Sequence, residues 1–229
     1  MKIAIIGAGI TGLATAYYLS KESKYDITIY ESSSFMGGHA STFEIEGTPI
    51  ERAYHHWFRN DYEILELCEE IGLSGQIGWF PSKVGTLFNG EIYNFNSPID
   101  LLQYKPLSFF DRFRLGISTL KIQHTKSWKS VENTTADKWL KKNAGTAAYK
   151  AFWEPMLRGK FGDEHYKQIG MSWIWGKIHT RLASRKGILT KEKLGYPLGS
   201  FKILFDKLYE ENKRRGVKVC LSHSVTKII

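Results

Sequence analysis

Six consecutive residues near the N-terminus have the types and spacing of a turn that binds a dinucleotide. Residues 7–12 read Gly-Ala-Gly-Ile-Thr-Gly and match the pattern G-x-G-x-x-G. The first glycine permits a tight turn, the second lets the backbone approach a pyrophosphate, and the third lets a helix pack closely on a strand. The residues that we expect to contact the pyrophosphate are Gly7, Ala8, Gly9, Ile10, Thr11 and Gly12.

The elements around this turn matter, because the glycine spacing alone is a weak signal. Residues 2–7 are apolar on both faces and predict a fully buried parallel strand. The sequence predicts a helix over residues 10–20 and a second strand over residues 26–30. These three elements form a βαβ unit, in which the N–H groups and dipole at the helix start favour a bound anion.

An acidic residue follows the second strand at the spacing of a ribose contact. Glu31 lies 19 residues after Gly12. Its carboxylate can accept hydrogen bonds from ribose hydroxyls and would repel a 2′-phosphate, which disfavours an NADP-type ligand. We group the adjacent Ser32 with it as a cofactor contact. The alternative interpretation is a glycine turn beside a surface glutamate.

A second glycine turn comes soon after this carboxylate. Gly37 and Gly38, followed by His39, would let the backbone pass close to the cofactor again. With this doublet the sequence resembles the flavin amine oxidase and protoporphyrinogen oxidase-like superfamily, which includes phytoene desaturases and UDP-galactopyranose mutases. The resemblance implies FAD rather than NAD. An arginine often follows the doublet in that superfamily, and here His39 takes its place.

The resemblance continues in order along the chain. Residues 51–58 match the segment that passes near the flavin ring, residues 153–162 a motif of the substrate lobe, and residues 195–201 the return to the FAD domain. Residues 216–219 and 225–228 resemble a strand pair, and the resemblance places Val225 against adenine. The superfamily's C-terminal glycine-rich FAD segment is absent, so we expect the N-terminal part of a longer polypeptide.

Two adjacent histidines are the candidate catalytic residues. His55 and His56 lie in the segment that the resemblance places near the flavin, where an imidazole could stabilise the reduced ring or move a proton. The alternative is a pair of hydrogen-bonded loop residues. No Cys, His or carboxylate cluster of suitable spacing accompanies them in the sequence, so we predict no metal site.

Further periodic patterns predict the remaining elements. Residues 61–71 form an amphipathic helix, Asn89-Gly90 is the turn of a β-hairpin, and a helix over residues 199–215 precedes a strand over residues 216–221. Residues 98–185 are mostly helical and rich in tryptophan. Within them we expect Trp153, Trp173 and Trp175 to be core residues rather than the lining of a flat or isoprenoid substrate site.

Charge is distributed unevenly, with a net of −7 over residues 1–100 and +16 over residues 101–229. The basic region suits an anionic substrate or an anionic lipid surface, and a solvated basic face is the equal alternative. Within it, Arg158 and Lys160 could bind a carboxylate or phosphate. The sequence contains no zinc-finger or RNA-recognition pattern, so we expect no nucleic-acid partner.

The cysteines and the hydropathy of the sequence indicate the cellular compartment of the protein. Cys68 shares a helical stripe with Ile64 and Ile71, and we expect a buried thiol in a reducing cytoplasm. No segment reaches the roughly 18 consecutive apolar residues of a membrane span. We therefore expect a cytoplasmic protein, and the basic region leaves two alternatives, peripheral membrane contact or a solvated surface.

Together these features predict an α/β protein with a Rossmann-like FAD-binding domain and an inserted, mostly helical substrate lobe. We expect the first part of the FAD-binding domain over residues 1–80, the lobe over 81–190 and an incomplete return over 191–229. The implied function is an FAD-dependent oxidoreductase of the amine oxidase or desaturase type, in which the flavin accepts a hydride from a carbon centre of a small anionic, isoprenoid or aromatic substrate. A UDP-galactopyranose mutase-like isomerase and a truncated FAD-binding module without activity of its own are the alternatives.

Overall fold

The computed structural model describes residues 1–184 and 192–228, which belong to two compact units. Unit 1 comprises Met1–Trp57, Asp61–Phe80 and Leu194–Ile229, and unit 2 comprises Phe58–Asn60 and Pro81–Lys193. The predicted end of the helical region at residue 185 and the predicted boundary between residues 190 and 191 lie outside the described residues.

The regular elements are β-strands and α-helices. The strands are β1 (Lys2–Ile6), β2 (Asp26–Tyr30), β3 (Thr42–Ile45), β4 (Thr48–Glu51), β5 (Ile77–Pro81), β6 (Gly85–Phe88), β7 (Glu91–Asn94), β8 (Lys193–Pro197) and β9 (Lys218–Cys220). The helices are α1 (Ile10–Leu19), α2 (Tyr62–Glu70), α3 (Pro98–Leu102), α4 (Phe109–His124), α5 (Ala136–Ala144), α6 (Thr146–Ala148), α7 (Glu154–His165), α8 (Met171–Ala183) and α9 (Lys202–Arg214).

A parallel sheet organises unit 1. Its strand order is β1-β2-β9, and β1 pairs with β2 from Lys2↔Asp26 to Ile6↔Tyr30. Helices α1 and α9 pack against each other, and the buried core includes Leu13, Ile27, Ile29 and Leu208. The predicted βαβ unit is confirmed, because β1, α1 and β2 occupy the predicted positions.

The prediction that the first strand is buried on both faces was wrong. Ile3 and Ile5 pack against the core, but Lys2, Ala4 and Ile6 are exposed, and Ile6 is 58% accessible. Strand β1 lies at the edge of the described sheet. From the apolar run in the sequence we therefore overestimated the burial of this strand.

Two strand pairs of unit 1 were not predicted. Strands β3 and β4 form an antiparallel hairpin, with Glu46 and Gly47 both at positive φ in the turn (49° and 78°). Such a turn suits the twist of a hairpin and favours glycine at its second position. Strands β5 and β8 form a second pair, although more than 100 residues separate them in the sequence.

Unit 2 combines the predicted hairpin with helices. Strands β6 and β7 pair around Asn89 and Gly90, both at positive φ, which confirms that prediction. The helices α3, α4 and α5 begin at hydroxyl caps, in which Ser97, Ser108 and Thr135 accept hydrogen bonds from backbone N–H groups three residues later.

The three tryptophans that we expected in the core of unit 2 are found there. Trp153 is buried, and Trp173 and Trp175 pack against the same cluster. Arg158 forms an ion pair with Asp163, so this guanidinium already has an acidic neighbour. None of the helices within residues 1–184 and 192–228 combines the length and hydropathy needed to cross a membrane.

The remaining predictions in unit 1 divide into two groups. The helix predicted over residues 61–71 is α2, and Cys68 is buried on it; the later helix and strand are α9 and β9. The strand that we expected near Val225 is not present, because residues 223–228 have no regular structure. Backbone N–H groups of Ser222 and His223 instead donate to the carbonyls of Ser33 and Glu31.

Candidate dinucleotide-binding site

Two glycine turns meet at the carboxyl ends of β1 and β2. The Gly37 N–H donates to the Ala8 carbonyl at 2.9 Å, and Gly9 and Gly37 form an isolated parallel bridge. The Gly7 N–H donates to the Tyr30 carbonyl at 2.8 Å. The backbone alone therefore holds both turns side by side.

Helix α1 begins in this cradle with its first N–H groups available. Its N-cap residue is Gly9, which has no side chain to accept a hydrogen bond, and its first turn contains no acidic residue. Because the first N–H groups of a helix have no partner within it, they combine with the positive end of the helix dipole to favour an anion.

Two of the glycines are required by the protein itself. A Cβ on Gly12 would lie 2.0 Å from the Gly7 carbonyl oxygen, so only glycine lets α1 pack this closely on the end of β1. Gly7 has a φ of 99°, in the left-handed region that favours glycine.

Gly9 and Gly38 have a different environment, because a Cβ on either would make only an ordinary contact with the other. A Cβ on Gly9 would meet only the Gly38 Cα, at 3.9 Å, and a Cβ on Gly38 would meet only the Gly9 Cα, at 3.5 Å. Gly9 has φ −74° and ψ 180°, which any residue adopts. The fold does not require glycine at position 9, and a side chain there would fill the cradle that a pyrophosphate needs.

These turns open onto a cavity of about 540 Å³. Its walls are glycine backbone and apolar side chains, and the polar side chains among its lining residues are Thr11, His39 and His55. The lining residues that we did not predict are Ile6, Ala40, Trp57, Ile64, Phe201, Leu204 and Phe205. No lysine or arginine is among the described lining residues, so an anion here would depend mainly on backbone N–H groups.

The Glu31 carboxylate is fixed at the edge of the glycine turns. The Ala8 N–H donates to Oε2 and the Ser33 N–H to Oε1, both at 2.8 Å, and the Ser32 hydroxyl lies 3.3 Å from Oε1. Partial burial acts to raise the pKa of Glu31, but the hydrogen bonds from Ser33 and Ala8 outweigh it and lower this pKa below its usual value. The carboxylate is therefore ionised at neutral pH and keeps acceptor positions for a ribose.

Helix α9 supplies one wall of the cavity, and hydrogen bonds tie it and the residues before it to the rest of unit 1. The Asn212 amide donates to the Leu13 carbonyl of α1 at 2.9 Å. Glu51, on β4, accepts from the Tyr196 hydroxyl at 2.6 Å and from the Phe201 N–H at 2.7 Å. These contacts hold Phe201 and its neighbours against the glycine turns.

The two candidate histidines have different positions. His55 lines the cavity and packs against Phe201, with ring centroids 5.8 Å apart. Its Nδ1 lies 2.6 Å from the Ala53 carbonyl, which can only accept, so Nδ1 carries a hydrogen and Nε2 is the nitrogen that can gain or lose a proton. His56 is not among the lining residues and packs against the Tyr54 ring.

Other predicted site residues lie outside the cavity lining. Val225 is 39% exposed in the irregular segment after β9. Ala8, Glu31 and Ser32 are also absent from the lining, and the Ser32 hydroxyl contacts the Glu31 carboxylate. Within the described residues, no group of three or more His, Cys, Asp or Glu side chains could hold a metal ion.

Comparison with known proteins agrees with the Rossmann-like fold around these turns. Residues 5–71 match the model of the NAD(P)-binding Rossmann-like domain family. The chain is 26% identical to coproporphyrinogen III oxidase from Staphylococcus aureus, in an alignment that covers 99% of this chain and 54% of that protein. The chain thus spans about half the length of this relative.

Solved structures share the fold at lower identity. The cyclohexylamine oxidase of Brevibacterium oxydans superimposes with a TM-score of 0.69 at 16% identity, over 95% of this chain and 50% of that one. Reduced UDP-galactopyranose mutase gives a TM-score of 0.65 at 16% identity, over 96% and 48%. At these identities the likenesses show the fold alone, and the chain spans about half the length of each of these structures.

Proposed function

We propose that unit 1 binds FAD and that the protein is an FAD-dependent oxidoreductase of the amine oxidase or desaturase type. The observation that carries the proposal is the pair of facing glycine turns, Gly7–Gly12 and Gly37-Gly38, with an ionised Glu31 beside them. A single glycine turn suits any dinucleotide, whereas the second turn provides another close backbone approach along an extended ligand.

Each part of the ligand has residues suited to it. The N–H groups at the start of α1 bind the pyrophosphate, and Gly9 and Gly38 leave the space for its close approach. Glu31 accepts hydrogen bonds from the ribose hydroxyls of the adenosine, and its charge repels a 2′-phosphate. We also assign His39 to the phosphate end of the cavity, since it follows Gly38 directly and lines the same space.

The apolar wall has a separate role. Trp57, Phe201 and Phe205 exclude water from the cavity, and His55 holds a proton at Nδ1 and can exchange one at Nε2. FAD, when bound, supplies the ring that accepts a hydride from a carbon centre, while the protein supplies orientation and electrostatics. We propose His55, rather than His56, as the histidine that contacts the cofactor.

We propose a small organic molecule as the substrate of the whole protein. The Staphylococcus aureus relative supports an oxidase, because its alignment includes nearly all of this chain. The likeness to UDP-galactopyranose mutase is one of fold alone at 16% identity, so it does not favour an isomerase.

A visible spectrum of the purified protein before and after addition of FAD tests the proposal. We expect a flavin spectrum that remains with the protein after gel filtration, and loss of that spectrum in Gly9→Ala. A protein that stays colourless after incubation with FAD would contradict the proposal. If flavin is retained, anaerobic bleaching by a candidate amine or porphyrinogen supports the oxidoreductase, whereas conversion of a UDP-sugar only by the pre-reduced protein supports the isomerase.

A further inference from the structure

Helix α4 of unit 2 presents a continuous apolar face to solvent. Five large side chains of this helix are between 50% and 82% exposed: Phe109, Phe110, Phe113, Ile117 and Leu120. At about 100° per residue these positions lie within an arc of about 100° on one side of the helix. The opposite side carries Leu115, Ser118 and Ile122, which are buried in the core of unit 2.

This face differs from the scattered apolar residues of an ordinary surface. Single exposed apolar side chains are common, but a contiguous patch marks a surface that meets an apolar partner. Three of the five side chains are phenylalanines in the first turns of the helix, and Phe110 is the most exposed of the five.

Basic groups flank the apolar face. Arg114 and Lys121, on α4 itself, donate to the backbone or side chains of residues 142 and 143 at the end of α5, which brings the exposed Lys142 alongside. Lys105 precedes α4 and Lys126 follows it, and both are exposed. Asp111, the acidic residue of α4, is bonded to the Ser108 hydroxyl at the helix start.

The charge of the whole unit has the same sign. Unit 2 contains 21 lysines and arginines against 9 aspartates and glutamates, a net charge of +12, whereas unit 1 has a net charge of −3. A second copy meeting this face through a two-fold axis would bring two strongly positive surfaces together. A nucleic acid would match the charge but not the five apolar side chains at the centre.

We infer that the apolar face of α4 is a docking site for an anionic lipid bilayer. The helix would lie in the plane of the membrane surface, with its phenylalanines at the boundary between headgroups and acyl chains and the flanking lysines against anionic headgroups. This role is separate from the FAD site and does not depend on it.

The test is co-sedimentation of the 229-residue protein with vesicles of phosphatidylcholine alone and of phosphatidylcholine with phosphatidylglycerol. We expect binding to the mixed vesicles and little to the neutral ones. The variant Phe110→Ser/Phe113→Ser should weaken that binding by at least about tenfold. Tyr62→Ser is the matched control, because Tyr62 is an exposed aromatic residue in the first turn of α2 and should leave binding unchanged.

A second variant and a change of salt concentration distinguish the contribution of charge to vesicle binding from that of apolar contact. Lys105→Gln/Lys142→Gln should reduce binding to the mixed vesicles by about tenfold and lower its salt dependence. Circular dichroism of all variants should match the wild type, since the substituted side chains are exposed.

Three results would overturn the inference. The first is failure of the wild type to bind mixed vesicles. The second is binding that the phenylalanine variant leaves unchanged, which would mean that the surface is merely basic. The third is a wild-type oligomer in sedimentation velocity that becomes monomeric in Phe110→Ser/Phe113→Ser, which would assign the face to a second copy.

Discussion

Replacing Gly9 with alanine should weaken dinucleotide binding strongly without harming the fold. The backbone at Gly9 is extended (φ −74°, ψ 180°), so alanine adopts it without strain. The new Cβ would have the Gly38 Cα as its nearest neighbour, at 3.9 Å, which is an ordinary contact. We therefore expect the free energy of unfolding to change by no more than about 1 kcal/mol, with stabilisation favoured by the smaller entropy of the unfolded chain.

The effect on binding should be much larger. The added methyl group would stand in the gap through which a pyrophosphate approaches the first N–H groups of α1. Loss of two charge-assisted hydrogen bonds, at about 1.5–3 kcal/mol each, corresponds to about 3–6 kcal/mol. That range raises the dissociation constant by about 10²- to 10⁴-fold.

Titration of FAD with the protein, followed by flavin fluorescence, gives the dissociation constant, and thermal unfolding gives the stability. Gly75→Ala is the matched control, because Gly75 also has open space for a Cβ but lies outside the cavity lining. If Gly9→Ala binds FAD within about threefold of the wild type, the position assigned to the pyrophosphate is wrong. If Gly9→Ala fails to fold, the conclusion that the fold requires glycine at position 12 but not at position 9 is wrong.

Three further substitutions or measurements follow from the same structure. Gly12→Ala should unfold the protein or lower its Tm by at least about 10 °C, because its Cβ would overlap the Gly7 carbonyl oxygen at 2.0 Å; a wild-type melting curve would contradict this. Burial raises the pKa of the Cys68 thiol to about 11. A thiol reagent at pH 8 should therefore leave Cys68 unmodified in the native protein and modify it after denaturation. Fast modification of Cys68 in a native Cys220→Ser variant would contradict its burial. The lowered pKa of Glu31 means that its ionised carboxylate stabilises the fold at a pH above the unfolded-state pKa of about 4.3. This stabilisation is lost as the pH falls through the folded-state pKa, so the difference in stability between wild type and Glu31→Gln should shrink on acidification. A constant difference from pH 7 to pH 3 would contradict this role of Glu31.

The first βαβ unit could be predicted because its signals are local. The apolar run of β1, the glycine turn and Glu31 lie within about 30 residues, which is the span of one such unit. The sequence also located the second glycine turn, which the backbone bonds to the first through Gly37 and Ala8.

The wall of the cavity could not be predicted in the same way. Phe201, Leu204 and Phe205 come from α9, which lies some 190 residues after the glycine turn and reaches it through tertiary contacts such as Asn212 with Leu13. The amphipathic pattern of α9 predicts a buried face but not what that face covers. The β3–β4 hairpin, in contrast, could have been predicted from the sequence. Glu46-Gly47 lies between two segments in which apolar and polar residues alternate, which is a turn signal that we did not use.

Burial was the property most overestimated from composition. The apolar residues of β1 predict a strand covered on both faces, yet Ile6 is exposed at the end of the strand, where it lines the cavity. The exposed phenylalanines of α4 show the same limit, because hydropathy identifies an apolar side chain without identifying its partner.

A competition titration tests the central claim most directly. The 229-residue protein would be titrated with FAD, and then with NADH and NADPH as competitors, at one ionic strength. Binding through the two glycine turns and Glu31 predicts one FAD per chain, weaker competition by NADH, and the weakest by NADPH because of its 2′-phosphate. A protein that binds NADPH more tightly than FAD, or that binds no FAD, would contradict the account.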